Sequence, residues 1–171
     1  MNKNKIFPLF IAGFMVLLLA GTVSCSDDRQ PPVVPKAAEG KAHDFVLKDL
    51  SGRKFVLSEH RGKPVLIIFS TTWCPTCRSE IPLYKKLHDA YAARGLVVIN
   101  IDIQEPQEKV SWFADRYKLP YRVLLDDKGL VAKAYQIVGV PTMILLDQNG
   151  ALISRQYQAI EGLLEKLFRD S

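Results

Sequence analysis

Residues 70–82 read STTWCPTCRSEIP, with Cys74 and Cys77 three positions apart and directly after the apolar run 65–69. Such a pair can be a redox dithiol, half of a metal site or two inert buried thiols. The only other cysteine is Cys25, so the surroundings of the pair must decide. An unbroken apolar run of this kind is the pattern of a strand buried on both faces. Downstream, Ile81, Tyr84, Leu87, His88 and Tyr91 recur at helical spacing until Arg94-Gly95 stops them. The cysteines therefore lie where a buried strand ends and a helix begins. At that junction unpaired backbone N–H groups and the positive end of the dipole favour a thiolate at Cys74. Cys77, one turn later and deeper, is placed to resolve a mixed disulfide, so Cys74 reads as the nucleophile and Cys77 as its partner.

The rest of the chain narrows the choice. Zinc asks for about four N or S ligands, and beyond the pair the sequence holds only Cys25 and the scattered His43, His60 and His88. Inert thiols leave Trp73 and Pro75 around the pair without a purpose. Glu80, three after Cys77, has two readings: a first-turn acid that complements the helix dipole, or a buried carboxylate that raises a neighbouring thiol's pKa and relays its proton. Pro82 should kink the helix, because it cannot donate to the carbonyl of Arg78. Val140-Pro141, just ahead of the strand 143–146, is either an ordinary strand start or a cis proline that bends the chain beside the cysteines and leaves the Val140 backbone free to pair with an incoming polypeptide.

With 171 residues, 48% of them apolar, the chain can bury one ordinary core. Residues 1–24 stand apart from it: Lys3 and Lys5 precede an apolar stretch that runs into Gly21, Thr22 and Ser24, the order of a secretory signal. An uncleaved helical anchor is the alternative, although the stretch is short for a membrane span and contains Pro8. Thr22-Val-Ser-Cys25 resembles a bacterial lipobox, with Thr22 where leucine is usual; acylation of Cys25 would account for the odd cysteine. A stray cysteine beside an ordinary cleavage site is the other reading. Without residues 1–24, which carry two lysines and no acid, the net charge falls from +5 to +3. That mild excess, with no basic run, does not point to nucleic acid.

Residues 25–41 are polar and bear Pro31, Pro32 and Pro35, which reads as an extended tether. Order is expected from Ala42. Segments 44–50 and 53–58 around Ser51-Gly52 form a hairpin. Strands at 96–101 and 121–125, helices near 110–117 and 130–135, and a second hairpin about residues 147–150 follow, then a last helix with Leu163, Leu164, Leu167 and Phe168. Strands alternating with helices predict an α/β domain over 42–171 with a mixed sheet covered on both faces.

These motifs together resemble the thioredoxin superfamily, specifically the TlpA/ResA-like extracytoplasmic thiol-disulfide oxidoreductases. The resemblance runs over about residues 42–169 and rests on DFVLKDLSGRKFVLSEHRGKPV, TTWCPTCRSEIP, NIDIQEPQEKVSWFADRYKLPYRVLLDDKGLVAKAY and VGVPTMILLDQNG. It implies a thioredoxin-like fold, a central mixed β-sheet flanked by helices, with an N-terminal β-hairpin and a central strand-helix insertion. Catalytic roles then fall on Cys74, Cys77 and Glu80, and contact with a substrate polypeptide on Trp73, Pro75, Thr76, Val140 and Pro141. It further implies an exported, membrane-anchored monomer that reduces partner disulfides, with apocytochrome c as one substrate class and a transmembrane thiol carrier as electron donor. No metal or organic cofactor is called for, since the cysteines carry the electrons.

Departures from the pattern matter as well. Thioredoxin has a buried Asp six before its first cysteine, where this chain has Ile68, which leaves Glu80 for proton traffic. Segment 155–159 lacks the glycine usual before the last helix. Rival readings are an oxidase that donates its disulfide during folding, a peroxidase, and a copper carrier. Thr71 stands three before Cys74 as a peroxidase would require, but the upstream proline of that motif is missing. Copper binding would want a wider cysteine spacing with a partner histidine.

Overall fold

The computed structural model describes residues 40 and 42–169. The expected signal segment 1–24, the tether 25–41 and Cys25 lie outside the described residues, apart from Gly40. Seven strands form one sheet: β1 (Val46–Asp49), β2 (Lys54–Val56), β3 (Val65–Ser70), β4 (Val97–Ile103), β5 (Arg122–Asp126), β6 (Thr142–Leu146) and β7 (Leu152–Ser154), in the order β2-β1-β5-β4-β3-β6-β7. Five helices cover it: α1 (Pro75–Ser79), α2 (Ile81–Tyr91), α3 (Gln107–Tyr117), α4 (Leu130–Ala134) and α5 (Tyr157–Arg169). β3, β4 and β5 run parallel, whereas β6 pairs antiparallel with β3. Both hairpins form, and α3, β5 and α4 between β4 and β6 supply the strand-helix insertion.

Every residue of β3 is buried, and successive side chains enter opposite layers. Val65, Ile67 and Phe69 meet Phe55, Ile99, Leu124, Ile144 and Tyr135 on one face. Leu66 and Ile68 meet Tyr84, Leu87, Met143 and Leu164 on the other. Burying each such aliphatic or aromatic chain contributes about 1.5–3 kcal/mol, so the two layers fix β3 firmly in the middle of the sheet. The helix after the cysteines is interrupted, as Pro82 leads one to expect. Glu80 (φ −90°, ψ −7°) separates α1 from α2. β4 runs two residues beyond the expected strand and so takes in Asp102, a polar group in an apolar sequence context.

The turn 147–150 needs a left-handed residue at its end, and Gly150 supplies φ +73° there. The Asp147 carboxylate accepts from the N–H groups of Asn149 and Ala151 at 2.8 and 2.7 Å and holds that turn closed.

At the opposite edge, buried Asp49 accepts from Ser51 Oγ at 2.7 Å, Arg53 Nε at 3.2 Å and Arg122 Nη2 at 2.8 Å, tying the first hairpin to β5. Burial alone would raise its pKa, but the bonds from Ser51, Arg53 and Arg122 outweigh burial and hold the carboxyl well below the usual range. A depressed folded-state pKa gives stability that is present above the unfolded value, about 3.9, and is lost as pH falls below it. Asp49→Asn is expected to lower stability at neutral pH and to flatten its decline below about pH 4 in urea titrations; an unchanged acid limb would refute this role.

Candidate active site

The loop leaving β3 delivers Cys74 to the start of α1. There Cys74 (φ −72°, ψ 117°) is the cap, its sulfur accepts from the Cys77 N–H at 3.2 Å, and Pro75 takes the first helical position, where a missing N–H costs nothing. The pairing of β3 with β6, in register Phe69 to Thr142, brings the Val140-Pro141 segment alongside. The Val140–Pro141 peptide bond is cis. Cys74 Sγ–H donates to the Val140 carbonyl at 3.6 Å, so the sulfur is held between a backbone donor of α1 and a backbone acceptor of the proline loop. Both cysteines are free thiols.

Cys74 and Cys77 are recessed to nearly the same degree, 5% and 3% exposed, where the sequence leads one to expect the first to stand clear. The rim above them is formed by Trp73, 62% exposed, with Pro75 and Thr76 also exposed and Val140 and Pro141 half-buried. Burial, followed by the hydrogen bond and charge shared with Cys74, pushes the Cys77 thiol well above the ordinary range. Cys77 therefore keeps its proton at neutral pH.

Glu80 is half-buried at the break between α1 and α2, and Tyr157 Oη–H, from the start of α5, donates to its Oε2. Burial and then this carboxylate push the Tyr157 phenol above its usual value. Tyr84, one turn after Glu80, is buried with its hydroxyl oxygen lacking a partner among the described residues. Burial raises its pKa first, and the nearby Cys77, Tyr157 and Glu80 add to the shift. The sequence marks Tyr84 only as an apolar helix position and gives Tyr157 no role. The one available signal was a tyrosine, rather than a leucine or phenylalanine, one turn beyond an acid.

A second acidic group lies on the other side of the loop. Glu105 accepts from the Thr72 N–H at 2.5 Å, from Thr72 Oγ1–H at 2.7 Å and from Lys109 Nζ at 2.5 Å. Burial would raise its pKa, but these bonds, Lys109 foremost, hold it below the usual range. Its carboxylate thus anchors the backbone two residues ahead of Cys74. Asp102, beside Ser70 across β3 and β4, is buried with Oδ1 unpartnered among the described residues. Burial and then the Glu105 charge push it up to about 8. Ile68, where thioredoxin would hold its acid, is fully buried in the apolar layer. Arg155, in the segment without the family glycine, donates from Nη1 to the Tyr135 carbonyl at 2.6 Å and ties down that wall. Among the described residues no group of three or more His, Cys, Asp or Glu side chains could hold a metal ion.

A mixed sheet with this strand order, and a dithiol at the exit of its central strand beside a cis proline, defines a thioredoxin-fold thiol-disulfide oxidoreductase. Residues 38–155 match the AhpC/TSA family, and the chain belongs to it. It is 35% identical over 166 residues to the thiol-disulfide oxidoreductase ResA of Geobacillus kaustophilus, covering 97% of this chain and 93% of that one. It is 36% identical to the ResA of Halalkalibacterium halodurans over 155 residues, 90% of this chain and 87% of the relative. Among solved structures it is similar to a putative thiol:disulfide interchange protein DsbE from Chlorobium tepidum, with 26% identity and a TM-score of 0.68 over 77% of this chain and 95% of the other. The thioredoxin domain of a Bacteroides vulgatus oxidoreductase (TM-score 0.70, 24% identity, 76% and 96% covered) agrees in fold. The protein is an enzyme that exchanges disulfides with other proteins.

Two predictions follow from the acids around the loop. A carboxylate beside a thiolate disfavours the anion, so Glu80→Gln is expected to move the pH profile of thiol alkylation to lower pH; an unaltered profile would leave Glu80 as a helix-junction acid only. Asp102 is protonated in the folded chain and ionised in the unfolded one between about pH 4 and its folded value of about 8. Stability therefore falls as pH rises through that window, and Asp102→Asn should abolish the fall in urea titrations at successive pH values. Equal slopes for variant and parent would refute it.

Proposed function

We propose that the chain works as a reductase of partner-protein disulfides outside the cytoplasm, tethered to a membrane through residues 1–25, with apocytochrome c as one substrate class and a transmembrane thiol carrier as electron donor. The observation that carries the reductase direction is the environment of the two sulfurs: Cys74 Sγ lies between the Cys77 N–H and the Val140 carbonyl, while the Cys77 thiol is pushed up by burial. A strongly oxidising dithiol is one whose reduced form is stabilised. Here burial denies the Cys77 thiolate the stabilisation that a strongly oxidising dithiol relies on, which supports the reductase direction.

The exchange balances without a cofactor. The Cys74 thiolate attacks one sulfur of the partner disulfide, forming the Cys74–partner bond and releasing the partner's other sulfur, which takes up a proton. Cys77 then gives up its proton, with the Glu80 carboxylate as its acceptor, and attacks Cys74 Sγ. The Cys74–Cys77 disulfide forms and the second partner thiol leaves. The partner gains two electrons and two protons, and the carrier dithiol must restore them. The ordering 1–24 then Cys25 supports export and acylation, and no described helix is long and apolar enough to cross a membrane.

Equilibration with dithiothreitol or glutathione buffers is expected to give a potential below about −200 mV, whereas a value near −120 mV would assign the oxidase reading instead. Cys74→Ser should abolish reduction of a peptide disulfide and Cys77→Ser should accumulate the mixed disulfide on a non-reducing gel. Full turnover by either variant would defeat the assignment.

A further inference from the structure

Beyond the sulfurs, the loop before Cys74 opens on its outer side into a groove of about 430 Å³ between that loop, α1 and α3. The chain has two tryptophans, and both line this groove. Trp73 and Trp112 are 62% and 61% exposed, although indole is costly to leave in water. The cations on the same wall are Arg78, Lys109 and Arg116, and no acid belongs to the lining. Lys109 is engaged by Glu105, which leaves Arg78 and Arg116 without an ion pair among the described residues. Arg116 lies over the Trp112 ring, 5.2 Å from its centre, so the guanidinium and the indole present one combined face. Phe113 packs on Tyr117 at 4.5 Å and forms the floor. Asp115, also on α3, belongs to a separate groove beside Pro120.

We propose that this groove docks an acidic stretch of the disulfide-bearing partner, on the side of its cysteines that runs over Trp73 toward α3. The inference rests on the reductase reading above and adds a substrate class to it. Exposed tryptophan and arginine with lysine engaged elsewhere is the composition of a protein-binding centre. Complementary charge selects the partner: an acidic flank gains two unpaired guanidiniums and a basic flank meets them as repulsion. A membrane surface would fit the charge as well, but the groove is continuous with the residue next to Cys74. Lipid seated there would close the approach to the reactive sulfur.

The test uses the full chain with its dithiol reduced, and synthetic peptides closed by one disulfide that differ only in a flank of Asp/Glu, Asn/Gln or Lys. Each protein supplies its own reference, since the readout is the ratio of kcat/KM between acidic and amide flanks. The expected ratio is roughly threefold to tenfold, carried by KM, with the lysine flank slowest. It should fall toward unity for Arg116→Glu and for Trp112→Ala. For the parent it should do so at about 1 M salt, where screening acts over about 3 Å, a readout that needs no variant to fold. One rate for all flanks overturns the docking surface and leaves the reductase intact, whereas no reduction of any peptide defeats the reductase and this inference with it. Sedimentation with phosphatidylserine vesicles is the remaining arm: binding lost in Arg116→Glu and Trp112→Ala while the flank ratio persists would make the membrane the occupant and overturn the proposal.

Discussion

The antiparallel pairing of β3 with β6 is the constraint on which the site depends. β3 ends where the dithiol loop begins, β6 starts just after the cis proline, and their register from Val65–Leu146 to Phe69–Thr142 leaves no freedom in how the two ends meet. Two apolar layers grip β3 from either side, so a slip of one residue would turn Ile67 and Phe69 into the layer that now holds Leu66 and Ile68. The precision of the contact between Cys74 and Val140 is thus borrowed from the core and not from the loop itself. Functional side chains placed on the ends of packed strands hold their geometry better than those on free loops.

Around that fixed contact the loop is held by opposite means on its two sides. Glu105 carries a charge that three donors stabilise, and it ties Thr72 in place. Glu80, Tyr157 and Tyr84 form a looser polar set on the helix side. Asp102 lacks such donors and shares the burial, which is why its carboxyl answers to the neighbouring charge by holding its proton. Two carboxylic acids thus end in opposite ionisation states, Asp102 through burial beside the Glu105 charge and Glu105 through the donors that face it.

The sequence carried the parts of this picture that repeat locally. Unbroken apolar runs identified β3 and β4, the 3.6-residue period identified α2 and α3, and Asp147 with Gly150 identified the second hairpin. The dithiol and its proline stood out because their residue types are unusual in those positions. Glu105 and Tyr157 did not stand out, since each acts through a neighbour distant in sequence: Thr72 is 33 residues from Glu105, and Glu80 is 77 residues from Tyr157. Asp102 was hidden by a strand boundary drawn one residue short of it. The equal burial of both cysteines also lies beyond a local pattern, because it is the proline loop, contributed from another part of the chain, that covers Cys74.

That covering limits what can reach the sulfur. A sulfur recessed beneath its own rim can be met only by a disulfide carried on an extended or protruding strand, and a crosslink folded into a compact interior has no path to it. Reach to the sulfur is thereby a matter of how far a crosslink stands out from the protein that carries it.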